Sequence, residues 1–247
     1  MAAISKYALT FQNRLISFEQ DIELVDIICS AQDKRDFLND DTKLFRHLNP
    51  ETHTSLNAIK HSDTSRRIVV THLRNTVYSS FIKDIYEEMT SYVKGLVYEA
   101  ALLSKNSSTA KRLLGEHKYS ISASDILQFE SLDALIMRIS EDIVQALENE
   151  RSTKDLIKKT CKKTDITLDE AKLDAALPYF ELRHKLVHSD GKVDCNFKQQ
   201  YTVFTYKNDY VVLNRQTIVD AKTAIKSLVL SIDASAISKG ILRPNTP

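Results

Sequence analysis

The feature that most constrains this chain is one unbroken pattern between about Arg66 and Leu103. Val70, Leu73, Val77, Phe81, Ile85, Met89, Val93 and Leu96 recur at spacings of three and four, and Ile82, Tyr86 and Val97 widen the stripe. A helix this long with so broad an apolar face can bury it only at the centre of a bundle. The scarcity of turn formers agrees with that. The 247 residues contain 4 Gly and 4 Pro, too few for a chain of many tight connections.

Other helices follow from the same spacing. Phe11, Leu15, Phe18, Ile22, Val25 and Cys29 mark one face of a helix within residues 4–29. Leu132, Leu135, Ile139, Ile143 and Leu147 predict an inward stripe over 131–148, and Ile218, Ala221, Ile225, Leu228 and Ile232 predict another over 215–235. Ser152 with Asp155, and Thr167 with Glu170, fit a capping box, so helices are expected to begin near 153 and 168. Pro178 should either kink the second of these or start a new helix. Gly191 should supply the positive φ beyond the end of that helix. The alternation in "YTVFTYKNDYVVL" (201–213) predicts a hairpin around Lys-Asn-Asp. The expected fold is therefore all-α, a helical bundle with one small β-hairpin near the C-terminus. The polar stretch after residue 30, with a turn near Asn49-Pro50, suggests a boundary between an N-terminal helical arm, 1–64, and a main domain, 65–247. "SKNSSTAKR" (104–112) reads as a loop, and the "RPNTP" tail as frayed.

Charge and cysteine usage narrow the function classes. The formal net charge is +1, so no global basic field points to nucleic acid and any such binding must be local. Cys29, Cys161 and Cys195 are odd in number and widely spaced, which fits neither a disulfide framework nor a zinc knuckle. No apolar leader and no run of about 18 apolar residues is present. The expectation is a cytoplasmic protein with no membrane segment. Without a Gly-rich phosphate loop, an NTPase or a dinucleotide domain is not expected.

The chemistry concentrates in "ELRHKLVHSDG", residues 181–191. His184 and His188 are four apart and share a helix face. Arg183 and His188 are five apart, about 140° around the axis. Those two could meet on one substrate if the helix ended between them, or if the site lay between two chains. Histidine serves as acid or base near neutral pH, and arginine offers a planar fork to phosphate oxygens. That combination suits cleavage of an RNA phosphodiester. The 2′-OH attacks phosphorus, a base removes its proton, an acid protonates the leaving 5′-oxygen, and a cation steadies the phosphorane.

"ELRHKLVHSDG" resembles the R-x4-6-H signature of the HEPN superfamily, with four residues between Arg183 and His188 and the polar His184 directly after the arginine. The helix "VVTHLRNTVYSSFIKDIYEEM", and the Gly-Lys-Val-Asp and hairpin after the motif, are similar to the HEPN group of RNase-L-like and Piwi-associated modules. The resemblance covers about residues 65–235 and leaves the N-terminal arm outside. It implies a helical bundle acting as a homodimer, and a metal-independent endoribonuclease with no cofactor. Arg183 would bind phosphate, His188 would move protons, and His184 would position one of them or the scissile group. It further implies an RNA substrate, a role as a toxin or anti-phage defence effector, and an antitoxin or companion defence protein as partner. The alternative within the same family is a non-catalytic dimerisation module that binds a partner protein or a nucleotide.

Plainer readings stand beside these. His188 and Arg183 could be ordinary cationic residues near a helix C-terminus. His184 and His188, with Asp190, could be zinc ligands, although no H-E-x-x-H glutamate and no cysteine pair accompanies them. "KKTCKK" (158–163) reads as a solvated helix face more readily than as a phosphate-binding patch. Arg66-Arg67 reads as the start of a helix more readily than as an RNA contact, and Arg74-Asn75 as a solvent-facing pair more readily than as polar groups of the cleft. Tyr179 and Phe180 could stack on a base, though helical spacing puts one in the core.

Overall fold

The long apolar pattern forms a single 41-residue helix. The computed structural model describes residues 3–33, 63–103, 122–148 and 152–245. In chain order these form α1 (Lys6–Asp33), α2 (Asp63–Leu103), α3 (Ala123–Ile126), α4 (Leu132–Glu148), α5 (Thr153–Thr164), α6 (Glu170–His188), α7 (Cys195–Gln200), β1 (Tyr206–Lys207), β2 (Tyr210–Val211) and α8 (Arg215–Ser238). The protein is all-α with one small hairpin near the C-terminus. The 104–112 stretch and most of the polar connection lie outside the described residues, as do the side chains of Arg66, Arg67 and Leu147.

Helix α2 is the axis of the bundle and packs against α1, α4, α5, α6 and α8. Ile82, Ile85, Met89, Leu96 and Val97 along it are buried, and each contributes about 1.5–3 kcal/mol by leaving water. Helix α1, from the expected arm, places Ala8, Phe11, Leu15 and Ile22 in that same core. One position explains how closely α1 approaches α2. A Cβ built on Gly95 would stand 2.3 Å from Cδ1 of Tyr7, whose hydroxyl donates to Glu99 at 3.0 Å. Gly95→Ala is therefore expected to push the Tyr7 ring off α2. The loss should be about 1–3 kcal/mol, a fall in melting temperature of roughly 3–10 °C. A melt equal to wild type would show that the ring moves freely.

Several local expectations change. In α4 the inward face is Ile136, Ser140, Ile143 and Val144, whereas Leu132 is 63% exposed. Ile143 and the half-buried Ile139 pack inward as expected, while Ile136, Ser140 and Val144 carry the face about one position further round. Helix α5 does begin at Thr153, but the Ser152 side chain makes no cap bond. Helix α6 is capped by Asp169, which accepts from the Lys172 N–H at 3.2 Å. Thr167 instead gives its N–H to Ser235 Oγ. Pro178 does not start a new helix. It lies buried inside α6, where packing against α2 and α8 outweighs the roughly 3 kcal/mol that an interior proline costs.

Beyond α6, Gly191 takes φ 81° as expected, and its N–H closes on Lys185 O at 3.0 Å. The hairpin is short, with Asn208 and Asp209 at φ 47° and 64°, the two left-handed residues a type I′ turn requires. The tail is tied down through residue 245. Ser5 and Pro244 form a bridge, and the Asn245 N–H donates to Ile4 O at 2.7 Å.

Candidate functional site

Helix α6 runs unbroken through the whole motif to His188. The helix therefore does not end between Arg183 and His188, and within one chain they remain about 140° apart. The structure brings the two histidines together and sets the arginine apart. His184 and His188 are exposed on the last two turns, their ring centroids 4.5 Å apart and tilted by 48°. Val187, between them, is 44% exposed.

Arg183 turns inward to α2. Its guanidinium lies 4.4 Å from the centroid of the Tyr86 ring, and Tyr86 in turn meets Phe180 edge-on at 5.8 Å. Nη2 donates to Glu87 Oε1 at 2.6 Å. Nε is buried and has no acceptor among the described residues. The magnitudes decide what this seat does. An ion pair whose carboxylate is 61% exposed and a cation–π contact together contribute about 1–2 kcal/mol. A desolvated donor without an acceptor costs about 1–3 kcal/mol. Among the described residues the two contributions roughly offset. Sequence reading missed Tyr86 and Glu87 as partners of Arg183, because Tyr86 reads there as part of the apolar stripe.

The remaining candidates resolve as structure. Tyr179 and Phe180 are both buried, and burial pushes the Tyr179 phenol up to about 12. Neither ring is open to a base. In 158–163, Thr160 and Cys161 face the core, Lys158 pairs with Glu170 at 2.8 Å, and burial raises the Cys161 thiol to about 12. A thiol held that high is no nucleophile. Arg74 bonds Ser30 and pairs with Asp26, so it fastens α1 to α2 and does not simply face solvent. Among the described residues, no third His, Cys, Asp or Glu stands with His184 and His188 to complete a metal-ligand set.

The molecule is thus an all-α bundle presenting an imidazole pair at a helix end, with a partly committed arginine on the other side of that helix. Among the described residues, no helix is long and apolar enough to cross a membrane. Comparison with known protein families, curated proteins and solved structures finds no match to the chain.

Proposed function

We propose that the chain is a metal-independent endoribonuclease of HEPN type, working as a homodimer with a composite site, in the role of a toxin or anti-phage defence effector. The observation that carries the reading is the exposed His184–His188 pair, 4.5 Å between centroids, within the R-x4-H motif. In this reading His188 transfers protons to and from the 2′- and 5′-oxygens, and His184 holds one of them in place. A second chain answers the angular problem. Two protomers meeting across a twofold at the His184–Val187–His188 face would bring two histidine pairs around one phosphate. Each Arg183 would have to leave its seat on Tyr86 and Glu87 to join them. Arg183 has the fork for that phosphate. Glu87 is exposed and holds Nη2, and Nε is buried beside it, so the side-on pair that matches two phosphate oxygens opens only when Glu87 gives way.

One observation favours a second reading, the non-catalytic dimerisation module. Arg183 already carries a carboxylate and a ring, as an arginine joining two helices would. The test is to incubate the purified protein with total RNA in excess chelator. Fragments ending in 2′,3′-cyclic phosphate and beginning with 5′-OH are expected. Intact RNA at every ionic strength and protein concentration tried would leave the module reading in place.

A further inference from the structure

The face of α6 that carries the histidines also forms one wall of a cavity of about 400 Å³. At about 100° per residue, Leu177, Glu181, His184, Lys185 and His188 fall within one arc of about 100°. Glu181 precedes His184 by three residues, and Lys185 precedes His188 by three, so their side chains are direct neighbours on the helix surface. The opposite wall comes from α7 and the residue after it, Asn196, Phe197, Gln200 and Tyr201, and the N-terminal end of α5 closes the side. A volume of this order is that of a small-molecule site.

The lining has a definite chemistry. On that wall the half-buried Tyr201 supplies the aromatic surface and leans on the buried Phe197, ring centroids 4.9 Å apart and tilted by 60°. The Glu181 carboxylate lies near the Tyr201 hydroxyl. Burial first, and then that carboxylate, raise the phenol above its ordinary value, so the hydroxyl stays protonated and able to donate. The side chains of Glu181, Asn196 and Gln200 make no hydrogen bond or ion pair with the described residues, so all three are free for a ligand. Lys185 stands at the edge, its Nζ 3.2 Å from Asp194 and 5.8 Å from the Phe197 ring centroid.

We infer that this cavity is a guanine subsite beside the histidine pair. The choice of a nucleobase rests on the ribonuclease reading, and the choice of guanine rests on the lining. Among the four bases only guanine presents two adjacent N–H donors, N1–H and N2–H, which a single carboxylate accepts together. Its O6 then accepts from the Asn196 or Gln200 amide. One accessible aromatic ring, here Tyr201, together with hydrogen bonds to the Watson–Crick edge is how proteins commonly hold an unpaired RNA base. Lys185 supplies a cation for the phosphate of the same nucleotide, on the side facing His188.

The test is calorimetric titration of the full-length protein with the monophosphates of guanosine, adenosine, cytidine and uridine, repeated with Glu181→Gln. Guanosine monophosphate should bind about tenfold more tightly than the other three, as expected for one bidentate pair. Glu181→Gln should remove the preference while leaving the melting temperature unchanged. Equal affinity for all four, or a guanine preference that survives Glu181→Gln, overturns the inference. RNA cleavage is scored separately on the same preparations. A guanine preference that depends on Glu181, in a protein that cuts no RNA, supports the subsite and defeats only the ribonuclease reading. Cleavage without any such preference defeats only the subsite.

Discussion

Alanine at His188 is expected to slow RNA cleavage by about 10²–10⁴-fold, the range general acid–base groups contribute, while moving the melting temperature by no more than about 2 °C. The two halves of that expectation have separate grounds. His188 is the last residue of α6 and is exposed. Its one ring contact is with the equally exposed His184. Truncating it opens no cavity and leaves no buried donor behind, so folding should not notice. Arg183→Ala lacks that clarity, since it also removes the Glu87 ion pair and the Tyr86 contact. Loss of activity there would have two explanations. His184→Ala should fall between wild type and His188→Ala, because a positioning group contributes less than the proton carrier. The measurement is the initial rate on a labelled RNA alongside a thermal melt of each variant. Equal rates for wild type and His188→Ala would sink the ribonuclease reading and leave the motif a structural one.

How much of this was legible in the sequence depends on the range of the cause. Helices α1, α2 and α8 were largely readable because each has one dominant apolar stripe and spacing tells which residues lie inside, although Leu73 of the expected α2 stripe is 39% exposed and Tyr78 is buried near it. Helix α4 misled because it carries two overlapping stripes. The expected Leu132-Leu135-Ile139-Ile143 and the neighbouring Ile136-Ser140-Ile143 are both helical in spacing and share Ile143. Contact with α2 buries Ile136 and Ser140 while it leaves Leu132 outside. The start of α6 misled for a related reason. Thr167 and Asp169 can each cap a helix, and in the fold the Thr167 backbone is held by Ser235, 68 residues away, while Asp169 takes the cap. The same rule covers the site. The His184–His188 pair is a local i,i+4 fact and was visible. The seat of Arg183 comes from a residue 96 positions distant, and nothing near the motif encodes it. The continuity of α6 was hidden as well. Pro178 and the polar end both argue for a break, and the flanking helices override them.

Removing the Asp233 carboxylate is expected to cost more stability than any other polar truncation in the described residues. Asp233 is 1% exposed and sits in the core face of α8. One oxygen accepts from the Ser5 N–H at 2.9 Å. The other accepts from Ser5 Oγ at 2.5 Å and from the Tyr92 hydroxyl at 3.3 Å. Ser5 Oγ also accepts from the Ala8 N–H, so it caps α1. Three parts of the chain, the start of α1, the middle of α2 and the end of α8, thus meet on one carboxylate. Burial first, and then Asp233 itself, hold the Tyr92 phenol well above its ordinary value, so it remains a donor. Asp233→Ala would strand these donors in a dry core. The expected loss is about 3–5 kcal/mol, a fall in melting temperature of roughly 6–20 °C in a chain of this size. Asp233→Asn keeps one acceptor and should lose less. Ser5→Ala should lose less again, and combining it with Asp233→Ala should add little, because the two act through one network. Thermal melts of these four variants decide it. An Asp233→Ala protein melting within about 2 °C of wild type would mean that water takes over the three donors, and that the cluster does not hold the ends of the bundle together.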